Sequence, residues 1–200
     1  NAPTGIGLTL EKIERMLEHN TEKVVIVDEA YVDFGCETAV KLVERYPNLL
    51  VIQTLSKSRA LAGMRVGFAI GNELLIEGLN RIKNSFNSYT IDRLALAAAN
   101  QAFLDEAYFQ HIRSKIINTR ENTRKQLTEL GFNVLPSATN FLFIQHREID
   151  AETIYTKLKE QNIYVRHFNK PKIKNYIRLT IGTEEEMNQF FTVIKTIFNR

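Results

Sequence analysis

Two short apolar runs each break off at a cluster of polar side chains. Lys23–Val27 (KVVIV) stops at Asp28-Glu29-Ala30-Tyr31, and Leu49–Gln53 (LLVIQ) stops at Thr54-Leu55-Ser56-Lys57. A β-branched run without polar alternation predicts a strand buried on both faces, as in a parallel sheet covered by helices. Ligands of open α/β sheets collect at the C-terminal ends of the strands. The two clusters are therefore expected to face one site.

The pattern around these runs extends the same architecture. Periodicity predicts a helix over 9–19, with Leu10, Ile13, Met16 and Leu17 on one face and Thr9 as N-cap. A helix is expected over Thr38–Arg45 and a third strand over Val66–Ile70. Helices follow over 72–83 and 91–104, then a long amphipathic helix from about Asp105 to Leu130, closed by Gly131. Beyond it, Phe132–Leu135, Asn140–Gln145, Ile163–Arg166 and Tyr176–Ile181 read as strands, with helices over 151–160 and 184–199. Thr183 and Glu186 have the spacing of a capping box at the start of the last helix. The expected fold is α/β in two parts. Residues 1–107 form part of a large, mostly parallel sheet domain, and 108–200 form a small α+β domain that includes the connecting helix.

Composition removes several functional classes. The net charge of +3, from 26 basic and 23 acidic residues, gives no reason to expect a nucleic-acid or membrane partner. No apolar run reaches the length of a membrane span. Cys36, the sole cysteine, has no partner for an internal disulfide, which fits a reducing compartment. His19, His111, His146 and His167 lack metal-ligand spacing, so no metal is expected. The start, Asn1-Ala2-Pro3-Thr4-Gly5, has neither an initiator Met nor a signal-peptide pattern, and the chain is expected to be a piece of a longer protein.

The polar clusters combine complementary chemistry. A partly desolvated lysine near another cation, here Lys57 with Arg65, loses proton affinity and becomes a nucleophile for aldehydes. Arg65 and the hydroxyls of Thr54, Ser56 and Ser58 are suited to cradle an anion. A carboxylate such as Asp28 can hold a ring nitrogen protonated, and Tyr31 and Asn1 can donate to a phenolate oxygen. These are the functions that pyridoxal phosphate needs from a protein. Each residue also has an ordinary reading: a solvated lysine, a loop carboxylate, a packed tyrosine, or an asparagine turning the chain before proline.

The order N-x-P-T-G, D-E-A-Y, then S-K-x-x-x-L-A-G-x-R-x-G-F resembles the fold-type I aminotransferases of the aspartate-aminotransferase superfamily. TLSKSRALAGMRVGFAIG is most similar to the histidinol-phosphate aminotransferases, and SATNFLF, NIYVRHF and YIRLTIGT continue the likeness. The resemblance implies pyridoxal 5'-phosphate attached to Lys57, Asp28 on the pyridine nitrogen, and Tyr31 and Asn1 on the phenolate oxygen. It also implies Ser56, Arg65 and Thr54 on the cofactor phosphate. Arg178, helped by Arg166, is expected to bind the anionic end of both substrates, histidinol phosphate and glutamate or 2-oxoglutarate. A cytoplasmic homodimer acting in histidine biosynthesis follows from the same likeness. The alternatives are an aromatic-amino-acid aminotransferase or a threonine-phosphate decarboxylase, which share the lysine loop, and a non-catalytic fragment that keeps the fold without turnover. The decarboxylases tend to carry Phe at the place of Tyr31, which favours transamination. Upstream parts of such enzymes complete the cofactor site, so these 200 residues alone are expected to expose apolar faces and hold the cofactor poorly.

Overall fold

A computed structural model describes residues 1–198. The chain divides into two compact units. One comprises Asn1 and Gly7–Arg113, the other Ala2–Ile6 and Ser114–Arg200. The expected boundary after residue 107 and the observed division fall within the same long helix.

In the first unit, α1 (Leu10–Glu18) leads to β1 (Val25–Asp28), β2 (Leu49–Thr54) and β3 (Gly67–Gly71). β1 and β2 run parallel, with Val25 opposite Leu49 and Asp28 opposite Ile52. β3 returns antiparallel, with Thr54 opposite Gly67. The link from β2 to β3 contains no crossover helix, which a parallel return would require.

Alternation along the strands puts Val25, Val27, Leu49 and Val51 on one face. There they pack with Ile13 and Leu17 of α1 and with Ala39 and Leu42. On the other face Ile26 is 59% exposed and Ile52 40%. β1 is thus not the fully buried strand that its apolar run predicts, although Leu50, beside Ile26 on the same face, is buried.

Other local expectations also shift. Met16 lies outside the buried stripe of α1, at 49% exposure. Thr9 holds the N-cap position with extended backbone, but its hydroxyl makes no capping bond. The helix expected over Thr38–Arg45 is a short 3-10 turn, Ala39–Leu42, with the Thr38 side chain accepting from the Val40 amide. The first unit continues with α2 (Glu73–Phe86), capped by Asn72, and α3 (Arg93–Leu104), capped by Asp92. Ala95 and Ala99 of α3 pack with Leu55 and Val66, which bracket the lysine loop.

α4 (Glu106–Glu129) ends at Gly131, whose φ of +86° suits glycine at a helix end. The second unit holds an antiparallel sheet ordered β4 (Phe132–Val134), β5 (Phe141–His146), β7 (Ile177–Thr180), β6 (Arg166–His167). α5 (Ala151–Glu160) and α6 (Glu184–Phe198) complete it. Its core gathers Leu127, Phe132, Leu142, Ile144, Ile154 and Phe190, with further apolar side chains around them. β6 lies later than Ile163–Arg166. Ile163 and Val165 pack partly buried against the core instead of pairing in a ladder. The capping box forms: the Thr183 amide donates to Glu186 at 2.7 Å and the Glu186 amide to the Thr183 hydroxyl at 3.2 Å. The predicted end of α6 at 199 lies outside the described residues. The segment 2–6 joins this unit through the Ala138 amide, which donates to the Gly5 carbonyl at 2.9 Å.

Candidate functional site

The parallel pairing of β1 and β2 carries both polar clusters to the same sheet end. The Glu29 amide extends the ladder one step past Asp28, donating to the Ile52 carbonyl at 2.8 Å. Asp28 is exposed there. One of its carboxylate oxygens accepts from the Asn1 side-chain amide at 2.8 Å, and the other accepts from the Ala30 amide at 2.9 Å. Asn1 and Asp28, far apart in sequence, are thus hydrogen-bonded to each other.

Lys57 projects from the loop after β2, exposed between buried Leu55 and Ser58. Its amine lies 5.8 Å from the centre of the Tyr31 ring. A cation over an aromatic face is attracted to the ring electrons, so the Tyr31 ring gives the amine a preferred direction. The Thr54 hydroxyl donates to the Ser56 hydroxyl at 2.9 Å and receives the Ser56 amide at 3.2 Å. Arg65 begins the return into β3 with a left-handed φ of +57°, and one of its terminal nitrogens donates to the Ala62 carbonyl at 3.0 Å.

Ser58 departs from the anion-cradle expectation. It is 6% exposed, and its hydroxyl donates to the Asp33 carboxylate. The donor is spent inside the protein, so Ser58 is not free to face an anion.

Sequence reasoning also gave Glu29 no part in the site. It is 7% exposed and accepts from the Ala39 amide at 2.5 Å, the Thr38 hydroxyl at 2.7 Å and the Gln53 side chain at 2.8 Å. These three bonds compensate the burial of its polar oxygens and fix the loop after β1 against β2. Its neighbours Asp28 and Tyr31 inherit that rigidity. The signal in the sequence was a carboxylate inside the DEAY cluster, but its partners are remote in sequence.

In the second unit, Arg178 on β7 stands opposite Arg166 on β6 and opposite Phe143 on β5. Like charges directly across a ladder repel. The Arg178 guanidinium lies 5.2 Å from the Phe141 ring centre, and its Nε is buried without a hydrogen-bond partner. Arg166 is exposed beside the Phe168 ring at 5.6 Å. A charged donor left unpaired is costly, and an anion shared by the two arginines would relieve both the cost and the repulsion.

Among the described residues, no group of three His, Cys, Asp or Glu is arranged to hold a metal. No helix among them is long and apolar enough to cross a membrane.

Comparison with known proteins identifies the family. The family profile for aminotransferase class I and II matches residues 1–194. A histidinol-phosphate aminotransferase of Clostridium botulinum (strain Okra / Type B1) is 58% identical over 200 residues, covering 100% of this chain and 56% of that protein. One from Marinomonas sp. (strain MWYL1) is 59% identical over 199 residues, covering 98% of this chain and 56% of that protein. The chain thus spans little more than half the length of these curated relatives. The crystal structure of the histidinol-phosphate aminotransferase from Clostridium acetobutylicum superposes with a TM-score of 0.91 at 26% identity, covering 100% of this chain and 62% of that one. With the ordered motifs, the α/β fold and a profile match along nearly its whole length, the chain belongs to the class I and II aminotransferase family.

Proposed function

We propose that this chain is part of a pyridoxal-phosphate-dependent aminotransferase that exchanges an amino group between L-histidinol phosphate and 2-oxoglutarate, with Lys57 as the lysine that binds the cofactor. The observation that carries this reading is the Lys57 amine 5.8 Å from the Tyr31 ring centre, beside a parallel strand whose end holds the Asn1–Asp28 pair. The near-60% identity to relatives of that name supports the choice of substrate.

The residues present fit the group. Lys57 offers the amine and Asp28 a carboxylate for a ring nitrogen. Tyr31 and Asn1 offer donors for a phenolate oxygen, and Ser56 and Arg65 offer donors for a phosphate, with the Thr54 hydroxyl holding Ser56 by donating to it. When bound, pyridoxal phosphate supplies an electron sink that lets the substrate's α-carbon give up its proton. Lys57 would take that proton from the α-carbon and deliver it to the cofactor's C4′, the shift that leaves the amino group on the cofactor. Asp28 keeps a proton on the ring nitrogen, and its bonds from Asn1 and Ala30 hold it in place. Arg178, assisted by Arg166, binds the anionic group of each substrate, since a guanidinium fork accepts carboxylate or phosphate. The two half-reactions then follow each other in ping-pong order. The reading extends to a role in histidine biosynthesis in the cytoplasm and to a homodimer. The exposed apolar side chains of α2, among them Leu74, Ile82 and Phe86, are available to such an interface.

The test is donor choice in the whole protein that carries this chain. Single-turnover rates with histidinol phosphate are expected to exceed those with phenylalanine by about 10²-fold or more in kcat/KM, the scale set by a charged group left without its partner. Equal rates, or a preference for phenylalanine, would move the function to a sister enzyme.

A further inference from the structure

The two residues after Lys57 are both held by partners within the protein, and both join one polar circuit. The Ser58 hydroxyl donates to the Asp33 carboxylate. The Asp33 carbonyl accepts from Arg113 Nε on α4. Arg113 donates onward to Gln110 at 2.9 Å, and Gln110 donates to Glu106 at 2.7 Å. Glu106 faces Arg59 at 3.4 Å. Arg59 follows Ser58 in the chain, so the circuit closes.

Arg59 is its firmest anchor. Its side chain is 13% exposed, and it donates to the Ala102 carbonyl at 2.5 Å. Its guanidinium lies 3.7 Å from the Phe109 ring centre and 4.9 Å from that of Phe103. Stacked, partly desolvated arginine contacts are strong because the planar fork is already organised. The Glu106 arm is weaker, since its side chain is 57% exposed and its charge is screened by solvent.

The position of the circuit gives it a consequence. Asp33 sits in the 3-10 turn Val32–Phe34 that directly follows Tyr31, and Ser58 directly follows Lys57. The Ser58–Asp33 bond therefore pins the two segments immediately behind the Lys57–Tyr31 contact. The loop also holds Ala60 at a left-handed φ of +56°, a conformation that persists only where the surroundings impose it.

We propose that Asp33, Ser58 and Arg59 are positioning residues that aim the Lys57 amine, acting through this circuit and not through contact with cofactor or substrate. The proposal rests on the reading of Lys57 given above. Truncating any of the three loosens the lysine loop relative to Tyr31 while leaving both sheet cores intact.

The experiment uses the whole protein and the variants Ser58→Ala, Ser58→Thr, Asp33→Ala and Arg59→Met. Arg59→Met keeps apolar packing between the phenylalanines, which guards against a variant that fails to fold. The first readout is amide hydrogen exchange without cofactor. Residues 55–62 should exchange about 10-fold faster in Ser58→Ala, Asp33→Ala and Arg59→Met, with strands β1 and β2 unchanged. The second is the pH midpoint of the visible band formed with pyridoxal phosphate, which should move in the same three variants and return in Ser58→Thr. The third is a fall in kcat of about 10-fold with KM little changed. Wild-type exchange and midpoint in these variants would overturn the proposal. So would exchange that accelerates uniformly along the chain, because that marks a purely structural role. Lys57→Ala reports on the underlying reading alone: a visible band that survives in it sinks the lysine assignment, whatever the loop variants show.

Discussion

Glu29 and Arg178 show how a single side chain can carry either stability or chemistry. Glu29 is buried and accepts three hydrogen bonds, so its interactions are complete. Glu29→Ala strands the Ala39 amide and the Gln53 side chain, and should lower stability by about 2–4 kcal/mol. A urea titration would detect this as a lower midpoint at unchanged slope. Arg178 is the opposite case, with a buried Nε that nothing satisfies and Arg166 across the ladder. Arg178→Ala should leave stability nearly unchanged yet lower kcat/KM in both half-reactions by on the order of 10²-fold, the scale of a charge-assisted pair. Single-turnover measurements would check this, and loss of only one half-reaction would refute a shared anion site. The meeting of Lys57 with Tyr31, and of Asp28 with the same sheet end, was legible because their spacing forms an ordered motif at the ends of two parallel strands. The contacts of Glu29, Asp33 and Arg59 were not, because their partners Gln53, Ser58 and Ala102 are distant in sequence and only the fold brings them together.

At the scale of elements, the strands after α4 were readable where hydrophobic pattern and ladder coincide, as in β5 and β7, and misplaced where they part. Ile163 and Val165 have the composition of a strand but pack into the core outside the ladder, so β6 begins later. The Thr38–Arg45 segment differs in a similar way: helical spacing is present, yet the backbone closes mostly i to i−3 bonds, as from the Val43 amide to Val40 and the Arg45 amide to Leu42, which makes a 3-10 turn. Helix starts in the second unit make their own prediction. Asp150 caps α5, and hydrogen bonds from the Thr153 hydroxyl and amide hold its carboxyl below the ordinary range. Glu185, in the first turn of α6, is lowered mainly by a backbone amide and then by Thr183. A lowered folded value means a contribution present above the unfolded pKa and lost as pH falls through the folded one. Stability should therefore drop below about pH 4, near where free carboxylates protonate. Asp150→Asn should flatten that acid limb while keeping the cap, because asparagine caps nearly as well. Urea midpoints measured across pH would reveal either outcome.

For the whole molecule, the sheet of the first unit is covered on one face by α1 and its neighbours, while Ile26 and Ile52 stand open on the other. An apolar run predicts burial but not what provides it, and that is why β1 was read as buried. The chain spans little more than half the length of each of these curated relatives. Within these residues, the essential arrangement is a lysine loop and a carboxylate strand end brought together by parallel pairing. The most direct test is the absorbance spectrum of the whole protein with pyridoxal phosphate, before and after histidinol phosphate is added, beside Lys57→Ala. The account predicts a visible band that collapses with substrate and never forms in the variant. A band of equal strength in Lys57→Ala, or no band in the wild type, would contradict it.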